Sequence, residues 1–371
     1  MPVVAWSKDA AVVAVVMAAL LILASPLTRA PALAKALRPT LPVVLACAFV
    51  LWALAAVAWS PAHRATDWLK AVPVVFSAWV TARALAQRPA QALARPVVMA
   101  FGALLALLII ERVTDGFVIG LARTGDSRDR LFDILSPGLA LLSCLVFPAA
   151  ALLGRLTGRT AAAWGLIALC LALGLSYRMD AAPVAILCGC VAYAVVRVAK
   201  RAGFILVLAG IAVIAVSWGT VAALAWQHGE QEWLTGHINL NWGYRVEIWN
   251  RVHELISGRF WTGYGFDTAR IIAQGPGITF LHPHNGLLQI WLELGLVGVV
   301  LFLGWAAAAA WAYLRTRPTP DRLAVSAATA VTVAVFWLIS FGIWQGWWLA
   351  AIGLTFCALA LADQVIGTPD P

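Results

Sequence analysis

The chain has 371 residues, of which 63% are hydrophobic and 12% charged, with a formal net charge of +9 and a mean hydropathy of +0.88. So little polar surface cannot solvate a core of this size, which excludes a water-soluble globular domain and predicts an integral membrane protein. The basic excess sits in short loops between apolar segments, so it reads as a topology signal and not as a nucleic-acid surface.

Spanning helices need roughly 18 or more apolar residues. In chain order, segments of that kind fall near 10–28, 41–60, 71–87, 97–111, 134–153, 161–177, 181–198, 203–226, 286–313, 323–342 and 346–362. The expected fold is all-α: one polytopic membrane domain over 1–371 with about 11–12 transmembrane helices and a helical external loop. The first segment is read as a retained helix. Lys8 and Asp9 cancel, which leaves no basic n-region for a cleaved signal.

The loops at 29–40, 83–96, 154–160, 197–202 and 315–322, with the C-terminus, group fourteen basic and three acidic residues on one side. The opposite side holds twelve basic and fourteen acidic residues. The positive-inside rule makes the first side cytoplasmic. The external side then has two long segments, near 112–133 and 227–285. The first carries Arg123, Asp126, Arg128, Asp129 and Arg130, with Arg123 a candidate substrate-binding residue. No metal-binding Asp-x-Asp appears there, so no metal or other cofactor is expected. The six cysteines all lie in apolar segments, which predicts packing residues and no disulfide framework.

Between two apolar helices, the turn Ser176-Tyr177-Arg178-Met179-Asp180 places a cation where charge is costly and commonly functional. The plain alternative is a snorkelling arginine at a helix end. In the second external segment, Trp242–Ile256 predicts an amphipathic helix. Val246, Trp249 and Val252 fall on one face, and Arg245 stands one turn before Trp249. Gly263-Tyr264-Gly265 and Gly275-Pro276-Gly277 are turn signals. The segment closes on His282-Pro283-His284-Asn285, which sets two imidazoles and an amide at the mouth of an apolar helix. Histidine exchanges protons most readily near neutral pH. Glu293, nine residues on from His284, is expected near the outer interface, either at the substrate or as a buried acid that caps a neighbouring helix or pairs with an arginine. Gly295 and Gly298 permit close helix contact.

Arg245 with Trp249, then Gly263-Tyr264-Gly265, then His284-Asn285 with Leu288, Glu293, Gly295 and Gly298, resembles the bacterial O-antigen ligase and polymerase superfamily. The likeness covers roughly 176–300. The turn at 176–182 also looks like the family's Ser-Arg element, with Tyr177 inserted between Ser176 and Arg178.

The resemblance implies a glycosyltransferase of the bacterial inner membrane with its active site on the periplasmic face. Its donor is a glycan on undecaprenyl diphosphate, and its acceptor is a sugar hydroxyl of the lipid A core. It also implies catalytic roles for His284, Arg245 and Arg178. Asn285, Trp249, Glu293, His282 and Arg123 are the candidate substrate-binding residues. His284 would take the acceptor proton, and the arginines would hold the diphosphate as bidentate donors. Two alternatives remain at this stage. One is a polymerase joining lipid-linked repeats, served by the same motif. The other is a polysaccharide-related transporter or flippase, for which internal repeats and charged midplane residues are the usual signs.

Overall fold

The computed structural model describes residues 9–24, 38–62, 65–85, 90–122, 128–177, 179–227, 240–272 and 280–366. Arg123, Arg178 and the turn at 275–277 lie outside them. Among the described residues every regular element is helical. The helices are α1 (Asp9–Ala24), α2 (Leu41–Ala55), α3 (Ala65–Leu85), α4 (Ala90–Val113), α5 (Phe117–Ala122), α6 (Arg128–Thr157) and α7 (Thr160–Ser176). They continue with α8 (Ala181–Gln227), α9 (Leu240–Gly258), α10 (Ala269–Ile272), α11 (Gly286–Arg315), α12 (Pro320–Ile339) and α13 (Gly346–Ile366).

Seven described helical segments are long and apolar enough to cross a membrane, and three shorter apolar helices accompany them: Asp9–Leu20, Ala71–Ala82 and Thr160–Ser176. The eleven apolar segments of the sequence map onto these ten, because one of the seven contains two. Ala181–Val221 is 41 residues long, about 60 Å at 1.5 Å per residue, or twice a hydrocarbon core. Lys200 breaks it with φ 51° and ψ −125°. A Cβ on Gly203 would lie 2.8 Å from the Val195 carbonyl, so the chain doubles back there.

Local chemistry sets several helix ends. Thr319 accepts from the Arg322 amide and Pro320 opens α12, a capped start with its imide at a position that needs no donor. Pro42 sits in the first turn of α2, where likewise no backbone donor is needed. The most enclosed helix is α6, where residues 141–150 are all buried. Its middle, 139–153, carries no charge and forms the centre of the bundle, and α4, α7, α12 and α13 pack against the helix. Small residues bring the helices close. A Cβ on Gly353 would sit 2.4 Å from the Ala78 methyl, and one on Gly189 would sit 2.4 Å from the Phe147 ring. The cysteines are free thiols within helices.

The charged loops separate by end. Arg197 pairs with Asp321, Arg322 with Asp363, and Arg155 donates to the Ile366 carbonyl, so the loops near 154–160, 197–202 and 315–322 and the last helix meet at one end. Arg112 donates to the Ser176 carbonyl 2.7 Å away at the opposite end, where Arg245 of the 240–258 helix lies near Asp180.

Candidate functional site

The site is built where α9, the 259–272 turn, the start of α11 and the 340–345 loop converge. The amphipathic helix expected at Trp242–Ile256 is α9. Val246, Trp249, Val252 and Ile256 are buried against Phe280, Leu288 and Leu292. Trp249 is fully buried, and its indole N–H donates to the Pro283 carbonyl at 2.8 Å. The helix thereby holds the His-Pro-His turn from one side.

Helix α11 is capped by Asn285, whose Oδ1 accepts from the Leu287 and Leu288 amides at 3.1 and 3.0 Å. It then breaks at Gly295, where φ is 67° and ψ −172°, a conformation essentially reserved for glycine. The break frees backbone groups that must find partners at this depth. The turn after α9 supplies them. Tyr264 and Gly265 donate to the Leu292 and Glu293 carbonyls at 2.9 and 2.8 Å, and Leu296 donates to Phe260 at 2.8 Å. The Trp52 indole donates to the Leu294 carbonyl at 2.8 Å. Gly263, at φ 67°, lies so close that a Cβ would be 2.4 Å from the Glu293 carbonyl carbon. The Gly-Tyr-Gly signal and the Glu-x-Gly signal are therefore two faces of one docking contact.

Glu293 is fully buried at that contact. Its carboxylate accepts from the Asp267 and Ala269 amides at 3.1 and 3.2 Å, from the Gln289 side chain at 3.1 Å, and from the Trp344 indole. The Gln289 oxygen in turn accepts from the Ile343 amide at 3.0 Å. Four donors on one carboxylate tie the 267–269 turn and the 340–345 loop to the first part of α11. This is the capping alternative of the sequence reading, and it leaves the carboxylate facing the scaffold.

His284 sits just before the cap with φ 54°, uncommon for a side chain of this size. Its Nδ1 lies 2.6 Å from the Ser340 carbonyl. A carbonyl only accepts, so Nδ1 carries the hydrogen and Nε2 keeps the lone pair. Burial depresses the His284 pKa, the hydrogen bond to Ser340 works against that, and the Arg245 charge adds to it. His282 stacks obliquely at 4.3 Å between ring centroids, and burial with the charges of His284, Arg270 and Arg245 pushes its pKa down to about 3. Both imidazoles are thus neutral near pH 7.

Arg245 is half-buried on α9. Burial lowers its pKa, and the nearby Asp180 carboxylate opposes that shift. Arg245 therefore joins the end of the bundle where the Tyr177–Asp180 turn lies. Arg270 donates to Asp267 Oδ1 at 2.8 and 3.1 Å. The Asn285 Nδ2 is buried with no hydrogen-bond partner among the described residues. Among the described residues no group of three or more His, Cys, Asp or Glu side chains gathers into a metal cage.

The structure thus brings together Arg245, Trp249, His282, His284, Asn285 and Glu293, while Arg123 and Arg178 lie outside the described residues. Sequence reasoning missed Ser340, Gln289, Trp344, the Asp267–Arg270 pair and Asp180. Only Asp267–Arg270, an i,i+3 pair following a glycine turn, had a local signal.

Residues 164–303 match a family model described as O-antigen ligase. The chain is also similar to proteins carrying the provisional name polysaccharide ligase. The identity is 34% over 123 residues in Rickettsia prowazekii strain Madrid E and 31% over 122 residues in Rickettsia conorii strain Malish 7. In both cases the match covers 29% of this chain and 29% of the relative. A Rickettsia bellii protein is 39% identical over 74 residues, which is 19% of this chain and 17% of its own length. The matched family segment contains Arg178, Arg245 and the string from His282 to Gly298, and it ends before Ser340 and Trp344.

Proposed function

We propose that this chain, which resembles the O-antigen ligase superfamily across 164–303, is a membrane glycosyltransferase of the ligase type. It moves a glycan from undecaprenyl diphosphate to a sugar hydroxyl of the lipid A core. The observation that carries the reading is the fixed tautomer of His284. Its Nδ1–H is committed to the Ser340 carbonyl, so a neutral Nε2 is available as base within the field of Arg245.

In the proposed reaction, His284 Nε2 takes the hydroxyl proton as the acceptor oxygen forms its bond to the anomeric carbon. The bond from that carbon to the diphosphate oxygen breaks, and the electron pair leaves with the diphosphate. One displacement inverts the anomeric centre. Arg245, with Arg178 as its expected partner, binds the departing charge through planar paired donors. The guanidinium groups of Arg245 and Arg178 supply that positive charge in this reading, without a metal. Asn285 Nδ2, buried and without a hydrogen-bond partner among the described residues, is assigned to substrate binding. Arg123 retains its sequence-based assignment to substrate binding. Trp249 and Glu293 are assigned to positioning, because their polar atoms hold the His-Pro-His turn and the 340–345 loop.

The proposed setting is the bacterial inner membrane with the site on the periplasmic face, as the loop charges favour. The test is the lipopolysaccharide profile of a deletion strain. Loss of the polymer ladder, with lipid-linked polymer accumulating, is the expected result. Single repeat units attached to core would instead assign a polymerase, and an unchanged profile would refute both.

A further inference from the structure

We propose that His282 is a positioning residue: its Nδ1 lone pair holds the left-handed backbone of His284 and thereby aims the His284 ring. The inference rests on His284 acting as the base.

The His284 amide donates to His282 Nδ1 at 3.2 Å. The link spans two residues across Pro283. It matches the turn that Asn or Asp makes when its side-chain oxygen accepts from the amide two residues on, with the proline fixing the middle φ. Here an imidazole nitrogen takes the place of that oxygen. The accepting role requires Nδ1 to be unprotonated, which places the His282 hydrogen on Nε2. Burial and the surrounding cations keep the ring in that neutral state.

The turn gains from an external hold because His284 is at φ 54°, in the left-handed region that non-glycine residues adopt uncommonly. Three contacts provide it. Trp249 pins the Pro283 carbonyl. The His282 ring lies on the backbone of Gly342, where an added Cβ would be 2.9 Å from its Cγ. Ser340, two residues before Gly342, accepts from His284 Nδ1. One short loop therefore supports His282 from below and orients His284 from the side. Slackening His282 leaves the base present but misdirected.

The experiment uses the purified full-length protein, a synthetic undecaprenyl-diphosphate-linked glycan and lipid A-core, with three variants. His282→Asn keeps an acceptor where Nδ1 stands. His282→Gln keeps a polar group where Nε2 stands but cannot close the turn. His282→Ala keeps neither. We expect Ala and Gln to lower kcat on the order of tenfold with KM for the donor little changed, and Asn to recover most of the rate. A second readout does not depend on turnover: the carbethoxylation rate of His284, followed by peptide mass spectrometry. It should change in Ala and Gln and stay close to wild type in Asn.

Recovery by Gln but not Asn, with a change in KM, would make His282 a substrate contact and overturn the proposal. Equal loss in all three variants, or loss in none, overturns it as well. If His284→Ala proves fully active, the base reading fails, and the carbethoxylation pattern still decides whether His282 holds His284.

Discussion

Glu293→Gln changes one atom and reverses half of a buried contact. Four N–H donors converge on the Glu293 carboxylate, two on each oxygen, and none of them can accept. Glutamine offers one acceptor oxygen and an amide that donates. Two buried donors then lose their acceptor and face hydrogens. At about 1–3 kcal/mol for each buried unsatisfied group, the substitution should cost roughly 2–6 kcal/mol. For a chain of this length, at about 2 °C or less per kcal/mol, the melting temperature should fall by up to roughly 4–12 °C. The losses are not confined to stability, because the same carboxylate holds the 267–269 turn and the loop whose Ser340 orients His284. Purified protein in detergent should therefore melt earlier and transfer glycan poorly even at temperatures where it remains folded. A Gln variant that matches wild type in both melting temperature and transfer rate would refute the view of Glu293 as the joint of the site.

Gly295→Ala should fail to accumulate as folded protein, since its Cβ would lie 2.2 Å from the Trp261 carbonyl oxygen at a backbone angle only glycine adopts; Gly304→Ala, 3.8 Å from its nearest neighbour, should accumulate normally by fluorescence size-exclusion chromatography. Arg245→Ala should abolish transfer through weakened donor binding, whereas Arg245→Lys should recover only part of it, because a point charge lacks the paired geometry; titration with the lipid-diphosphate donor separates the two.

Hydropathy made the spanning segments legible because each helix in lipid must be apolar along its whole length, a constraint that needs no knowledge of neighbours. The face of α9 was legible for the same local reason, since Val246, Trp249 and Val252 repeat at helical spacing. The break at Gly295 was not. The same glycine pattern serves helix contact and helix interruption, and the choice depends on whether a distant turn can satisfy the freed groups. The partners from the 340–345 loop were silent too. Ser340 acts through its carbonyl, which every residue has, and Trp344 is one of nineteen tryptophans in a chain where most read as interfacial or packing residues. The motif string singled out the candidate residues, and tertiary contacts decided which of them face the scaffold. Glu293 and Trp249 could not be told from ligand-binding residues until their partners were seen.

The role of His284 separates from a merely orienting one by pH and by one substitution. A base acts only while neutral, so transfer should be constant above the folded-state pKa and decline as pH falls through it. Burial and Arg245 set that pKa below the ordinary 6.5, so the decline should begin below that value. Folding linkage has the same sign. A histidine with a depressed folded-state pKa binds fewer protons folded than unfolded, so acid also weakens the fold below about pH 6.5. Melting temperature must therefore be followed at each pH, and the rate read only where the protein stays folded. His284→Gln keeps a hydrogen-bonding side chain that cannot take up a proton at neutral pH. If the base supplies about 10²–10⁴ in rate, that variant should lose transfer by that factor while expressing normally, and its residual activity should lose the acid limb. Near-normal turnover by His284→Gln, or an acid limb that persists unchanged in it, would assign the proton to another group and leave His284 as an orienting residue.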